Sequence, residues 1–180
     1  IPNMIVIQPA DWEEAVQATK AAAKHKGPLY LRLGRPTVKG IYDSSYKFAI
    51  GKASVLRAGN DIVVFATGSL VQESLQAAEA LESENISVSI VNVSTLKPLD
   101  EDLVVSEAKK HGAVVTAEDH NIIGGLSDAV RQALTNHEVS VPIQSVAVGD
   151  CFAETGTGPE LYKKYGLSAT HVADKIKQAL

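Results

Sequence analysis

The chain has 180 residues, 45% of them hydrophobic, with 17 basic and 21 acidic side chains and a net charge of −4. That size fits one domain, or one domain plus a piece of another, and can bury roughly 70% of its unfolded surface without staples. The charge pattern has no basic stripe and weighs against nucleic acid, no apolar run nears the roughly 18 residues of a membrane span, and a lone Cys151 points to a reducing, cytoplasmic setting.

The opening Ile-Pro-Asn-Met runs almost at once into an apolar segment, with no initiator Met at position 1, which implies a start inside a larger polypeptide. Residues 4–7 form a short strand pattern ended by Pro9. Asp11 is a good N-cap for a helix over 12–25, with Glu14 completing a capping-box spacing. Trp12, Ala15, Val16, Ala22 and Ala23 recur at helical spacing as its apolar face. Gly27-Pro28 stops that helix, and 29–33 form a second strand closed by Gly34-Arg35-Pro36. This strand–helix–strand unit is too small to be a domain alone.

Residues 37–47 lack periodicity and read as a linker. Residues 48–58 suggest one or two short edge strands. Regular alternation then begins. Strands are expected at 62–66, 88–93, 113–117 and 141–148. Helices are expected at 70–83, 101–111, 125–137, 158–166 and 169–180, with Ser69, Asp100 and Ser168 as caps and 96–100 as a turn. Strands alternating with helices imply a largely parallel sheet covered on both faces.

The chemistry-bearing residues cluster in a few places. Gly68-Ser69 opens a helix, which can bind an anion, but capping is the favoured reading. Residues 114–126 carry Glu118-Asp119-His120 at the end of a strand, followed by Gly124-Gly125 at a helix start. Adjacent strand residues point to opposite faces, so the triplet converges only if the chain turns there. No second His or Cys stands at metal-ligand spacing. For His120 a catalytic role and a hydrogen-bonded corner or subunit contact both stay open. Gly124 and Gly125 fit a tight turn, a phosphate site or a dimer contact, and the absence of Lys or Arg in the loop favours packing or dimer contact. Cys151 lacks a neighbouring base. Residues 155–159 form a turn-and-cap sequence with a weak phosphate-site character. Arg32 and Arg35 bracket the end of the second strand, where a guanidinium can grip a phosphate, although a surface or ion-paired arginine is the commoner case.

Five segments in order carry a family resemblance. They are Ile-Pro-Asn-Met with Pro-Ala-Asp, Leu-Tyr-Leu-Arg-Leu-Gly-Arg-Pro, Thr-Leu-Lys-Pro-Leu-Asp, Ala-Glu-Asp-His-Asn-Ile-Ile-Gly-Gly-Leu, and Glu-Leu-Tyr-Lys-Lys-Tyr-Gly-Leu. Across essentially the whole chain the sequence resembles the C-terminal part of transketolases, transferases of the pentose phosphate pathway that move two-carbon ketol units between sugar phosphates. The resemblance implies that residues 1–36 end a pyrimidine-binding domain and that 37–47 are a linker. Residues 48–180 would then be a three-layer α/β/α C-terminal domain with a mostly parallel, mixed sheet of about five strands.

It also implies thiamine diphosphate and a divalent metal (Mg or Ca), bound mainly by upstream parts or by a separate N-terminal subunit, and a homodimer. Neither a Gly-Asp-Gly metal motif nor the family's cofactor-activating glutamate is present in this sequence. Arg35 matches the arginine that contacts the substrate phosphate. Glu118, Asp119, His120, Gly124 and Gly125 become structural or interface residues. Ser127 stands where many relatives have a third glycine. Two related enzymes share the domain order, 1-deoxyxylulose-5-phosphate synthase and the E1 β subunit of 2-oxoacid dehydrogenases. A different class also fits, a non-catalytic assembly or regulatory module.

Overall fold

The alternating pattern of the second half resolves into a sheet buried on both faces. The structure, a computed structural model, describes residues 1–35 and 37–180. Pro36, expected to close the second strand and bound the first module, lies outside the described residues.

Five strands make the larger sheet: β3 (Ser54–Arg57), β4 (Ile62–Ala66), β5 (Val88–Asn92), β7 (Val114–Asn121) and β8 (Ile143–Val148), in the order β3-β5-β4-β7-β8. All neighbours are parallel except the edge strand β3, which runs antiparallel to β5. Helices α2 (Leu70–Glu82) and α6 (Ala169–Ala179) cover one face; α3 (Glu101–His111) and α4 (Leu126–Asn136) cover the other. The expected three-layer α/β/α domain with a mixed five-stranded sheet is therefore the fold observed. Period-two alternation divides the core. Ile62, Val64, Ala66, Val115 and Ala117 face α2 and α6, whereas Val63, Phe65, Val91 and Val114 face α3 and α4. Both central strands β4 and β5 are buried at every residue, as a parallel sheet between two helix layers requires.

The first module is a smaller, three-stranded sheet. Strand β1 (Ile5–Ile7) pairs in parallel with β2 (Leu29–Leu31), and α1 (Trp12–Lys24) crosses between them. The third strand is β6 (Thr95–Lys97), antiparallel to β1. This corrects the turn expected over 96–100: the segment after β5 leaves the large sheet and completes the small one. Local propensity could not show this, because the pairing partner lies about 90 residues earlier. A second correction concerns α1, whose apolar row is not its buried side. Trp12 is 64% exposed and Val16 39%, whereas Glu14 and Ala18 are fully buried. Helix α5 (Gly158–Lys164) follows the loop after β8. Among the described residues no helix is long and apolar enough to cross a membrane.

Candidate functional site

In the large sheet, β4 continues through α2 to β5 on one side, and the chain then returns through α3 to β7 on β4's other side. The strand order thus reverses between β4 and β7. In open α/β sheets, the crevice at the carboxyl ends of such a strand pair is the usual ligand position. Those ends here are Thr67-Gly68-Ser69 and Glu118-Asp119-His120.

The triplet does not converge. Strand β7 stays extended through Asn121, so alternation sends its side chains apart. Glu118 follows Val114 and Thr116 toward α4 and is fully buried there. Its carboxylate accepts the Leu126 amide at 2.7 Å and the Ser127 amide at 2.9 Å, satisfying two orphan donors of the helix start. Burial pushes its pKa up, while the two amides pull it down. Gly125 is needed for this contact. A Cβ there would sit 2.7 Å from Glu118 Cδ, in the space the carboxylate occupies. Gly124 has φ +78°, and its amide donates to Asp128 at 2.7 Å. The glycine pair is therefore a packed corner, with one member supplying positive φ and the other room for a carboxylate.

Asp119 points the opposite way and joins the two modules. Its Oδ1 accepts Gln8 Nε2 at 2.6 Å and Arg32 Nη1 at 2.5 Å, and its backbone carbonyl accepts Arg32 Nη2 at 3.0 Å. Its Oδ2 accepts the Ser69 hydroxyl at 3.2 Å. Since Ser69 spends its proton there, the Tyr162 hydroxyl, 2.5 Å away, donates to Ser69. The switch-point crevice is thus closed by Gln8 from the end of β1 and Arg32 from the end of β2. Ser69, expected to cap α2, makes no side-chain capping bond and belongs to this junction instead. His120 is exposed, with Nδ1 2.9 Å from the Asn121 carbonyl, and neither neighbouring carboxylate orients it.

A second polar junction lies around Glu14. Its carboxylate accepts Ala10 N at 2.7 Å, Tyr46 OH at 2.6 Å and Asn92 Nδ2 at 2.9 Å. Asn92 Nδ2 also lies 2.9 Å from Tyr42 OH, and the Tyr42 and Tyr46 rings stack 3.7 Å apart. Burial raises the pKa of both phenols, reinforced by the Glu14 charge. Asp11 does cap α1, accepting Glu14 N at 2.9 Å, and its second oxygen accepts Ile41 N and Tyr42 N. The capping box is not closed as expected, because Glu14 turns to Ala10 N. Residues 37–47 are thereby tied down along α1 rather than loosely strung.

The other expected residues are scattered. Arg35 is exposed, three residues beyond the anchored Arg32. Gly34, which precedes it, lines a crevice of about 470 Å3 together with Trp12, Ala15, Leu33, Val38 and Ser69. Cys151 is exposed in the β8–α5 loop. At the 155–159 turn, the Glu160 carboxylate accepts Thr157 N at 3.1 Å and Thr157 Oγ1 at 2.6 Å, closing the start of α5. Among the described residues no group of three or more His, Cys, Asp or Glu side chains is placed to hold a metal ion. Sequence reasoning missed Gln8, Glu14 as a hub, Asn92 and Tyr162. Asn92 carried a signal: an amide at the end of a largely apolar strand demands a partner once buried.

Fold and site together define an α/β/α domain fastened to a small α/β module, with no converged catalytic constellation among the described residues. Residues 51–172 match the family model for the transketolase C-terminal domain, and the chain belongs to that family. It is 42% identical over 172 residues to a 6-deoxy-6-sulfo-D-fructose transketolase subunit of Clostridium sp. (strain MSTE9), covering 96% of this chain and 53% of that protein. It is 37% identical over 182 residues to a putative transketolase C-terminal section of Methanocaldococcus jannaschii, covering 100% and 57%. A 1-deoxy-D-xylulose-5-phosphate synthase of Syntrophotalea carbinolica is 38% identical over 179 residues, covering 98% and 28%. A solved structure described as a split-gene transketolase in an inactive β4 tetramer superposes with TM-score 0.95 at 40% identity, covering all of this chain and 59% of that one. The chain thus spans just over half the length of the two transketolase relatives.

Proposed function

We propose that this chain is the C-terminal portion of a transketolase, working in a complete enzyme that transfers two-carbon ketol units between sugar phosphates. Residues 1–36 end the pyrimidine-binding domain, 37–47 link, and 48–180 form the C-terminal domain. The observation that carries this reading is the junction itself. Gln8 and Arg32 at the strand ends of the small sheet fill the switch-point crevice of the large one. The Asp119 carboxylate at the Glu118–His120 strand end is then met by protein side chains, and Arg35 is left exposed beyond the anchor. Arg35 grips the substrate phosphate through paired, charge-assisted hydrogen bonds.

The remaining parts are upstream transketolase domains, on the same or a separate polypeptide, and the assembly is a homodimer of complete units. Thiamine diphosphate and its divalent metal, Mg or Ca, belong to those parts. The described residues do not fit either group: the Asp119 and Glu118 carboxylates are already engaged by protein donors. The chain alone is inactive, a reading supported by its likeness to a split-gene transketolase whose β4 tetramer is inactive. Glu118, Gly124 and Gly125 are structural, and His120 contributes to a subunit contact. The exposed, unpaired Cys151 supports a cytoplasmic setting.

Arg35→Ala in the complete enzyme raises KM for phosphorylated substrates about ten- to hundredfold, since a charge-assisted contact is worth roughly 1.5–3 kcal/mol. An unchanged KM would remove Arg35 from the site. Ribose 5-phosphate and pyruvate as competing substrates separate a transketolase from a 1-deoxyxylulose-5-phosphate synthase, and preference for pyruvate would favour the latter.

A further inference from the structure

One carboxylate of the C-terminal domain holds the chain leading to Arg35. Asp119 engages Arg32 twice, with its carboxylate at 2.5 Å and its carbonyl at 3.0 Å. The Arg32 amide still pairs with the Ile7 carbonyl at 2.8 Å, so backbone and side chain are both fixed at this residue. Beyond it Leu33, Gly34 and Arg35 are exposed. Three residues reach at most about 10 Å, so the place from which Arg35 works is set by where Arg32 is anchored. Asp119 in turn is held by Gln8 Nε2 and by the Ser69 hydroxyl, which receives the Tyr162 proton. The anchor thus draws on β1, β2, β7, the start of α2 and α5 together.

We infer that Asp119 is a positioning residue for Arg35: through Arg32 it fixes the reach of the phosphate-gripping arginine, which gives the five-stranded domain a direct influence on substrate affinity. This rests on the reading of Arg35 above. Loosening the anchor lets Arg35 drift, and the charge-assisted hydrogen bonds it makes weaken steeply with distance and angle.

The test uses the complete enzyme and compares KM and kcat for a phosphorylated aldose with those for the corresponding unphosphorylated one. Asp119→Asn raises KM for the phosphorylated substrate about tenfold, moves kcat less than about twofold, and leaves the unphosphorylated substrate unaffected. Arg32→Lys, which keeps the charge and drops one prong, does the same and carries the test should Asp119→Asn fail to assemble. In an Arg35→Ala background neither substitution raises KM further. An unchanged KM in a variant that melts like the wild type overturns the inference. So does an equal rise for both substrates, or a rise that persists without Arg35. If Arg35→Ala is itself silent, the assignment of Arg35 fails and the inference falls with it. If Arg35→Ala weakens binding while Asp119→Asn does not, only the inference falls.

Discussion

The two sheets of this chain are held by different forces. The five-stranded sheet is a hydrophobic object: β4 and β5 are buried at every position, and two apolar clusters fill its two faces. The three-stranded sheet has little core of its own. Of its apolar residues Ile7, Ala10 and Ala18 are buried, whereas Trp12, Tyr30 and Leu33 are exposed. It is held to its neighbour by directional polar contacts through Glu14, Asp11, Arg32 and Asp119. Burial of apolar area is additive and non-directional, so the large sheet tolerates polar changes at its surface. A module held by a few hydrogen bonds fails one contact at a time, because each lost partner leaves a buried group unsatisfied.

The largest expected effect lies in the large sheet. Phe65→Ala lowers global stability by about 3–5 kcal/mol in denaturant unfolding, since a fully buried ring on the α3–α4 face of β4 leaves a cavity. A loss below about 1 kcal/mol would deny the sheet its dominance. Next is Glu14→Gln. It puts an amide where Ala10, Tyr46 and Asn92 all donate, and costs about 1–3 kcal/mol. Here the response is local: hydrogen exchange accelerates over α1 and residues 37–48, while β4 and β5 stay protected. Uniform acceleration would mean that the two sheets unfold as one unit.

Gly125→Ala follows, with a cost of about 1–3 kcal/mol from overpacking against the Glu118 carboxylate. Shortening the carboxylate in the same chain, Glu118→Asp, recovers part of that loss. Strict additivity of the two changes would refute the contact. The smallest effect is a pH dependence. Burial holds the Glu118 pKa above its unfolded value, so the unfolded chain ionises first. The associated stability is fully present below the unfolded-state pKa and is lost as pH rises through the folded-state pKa. Melting of the wild type and of Glu118→Gln against pH checks the sign. The wild type loses stability relative to the variant as pH climbs through that window, and a gain would show that the helix amides outweigh burial.

Much of the large sheet was legible in the sequence, because strands such as 62–66 and helices such as 70–83 carry their periodicity locally. The end of β7 was not: Glu118, Asp119 and His120 suggest a polar loop by composition, yet they continue the strand to Asn121. Strand β6 was hidden for a different reason. Its pairing with β1 is long-range, and Pro98 beside it signals a turn. The site residues divide the same way. Gly124 and Gly125 announced close packing through their type alone. That Ser69 bonds Asp119 rather than capping α2, and that Arg32 rather than Arg35 is anchored, depends on how the two sheets meet, which no local pattern records.

We propose that this chain is one part of a transketolase and inactive by itself. Turnover of ribose 5-phosphate with a ketose phosphate donor, thiamine diphosphate and magnesium tests it most directly, measured on the chain alone and on the chain combined with the upstream transketolase portion. The expected result is no turnover from the chain alone and sugar-phosphate transfer from the combination. Turnover by the chain alone would contradict it.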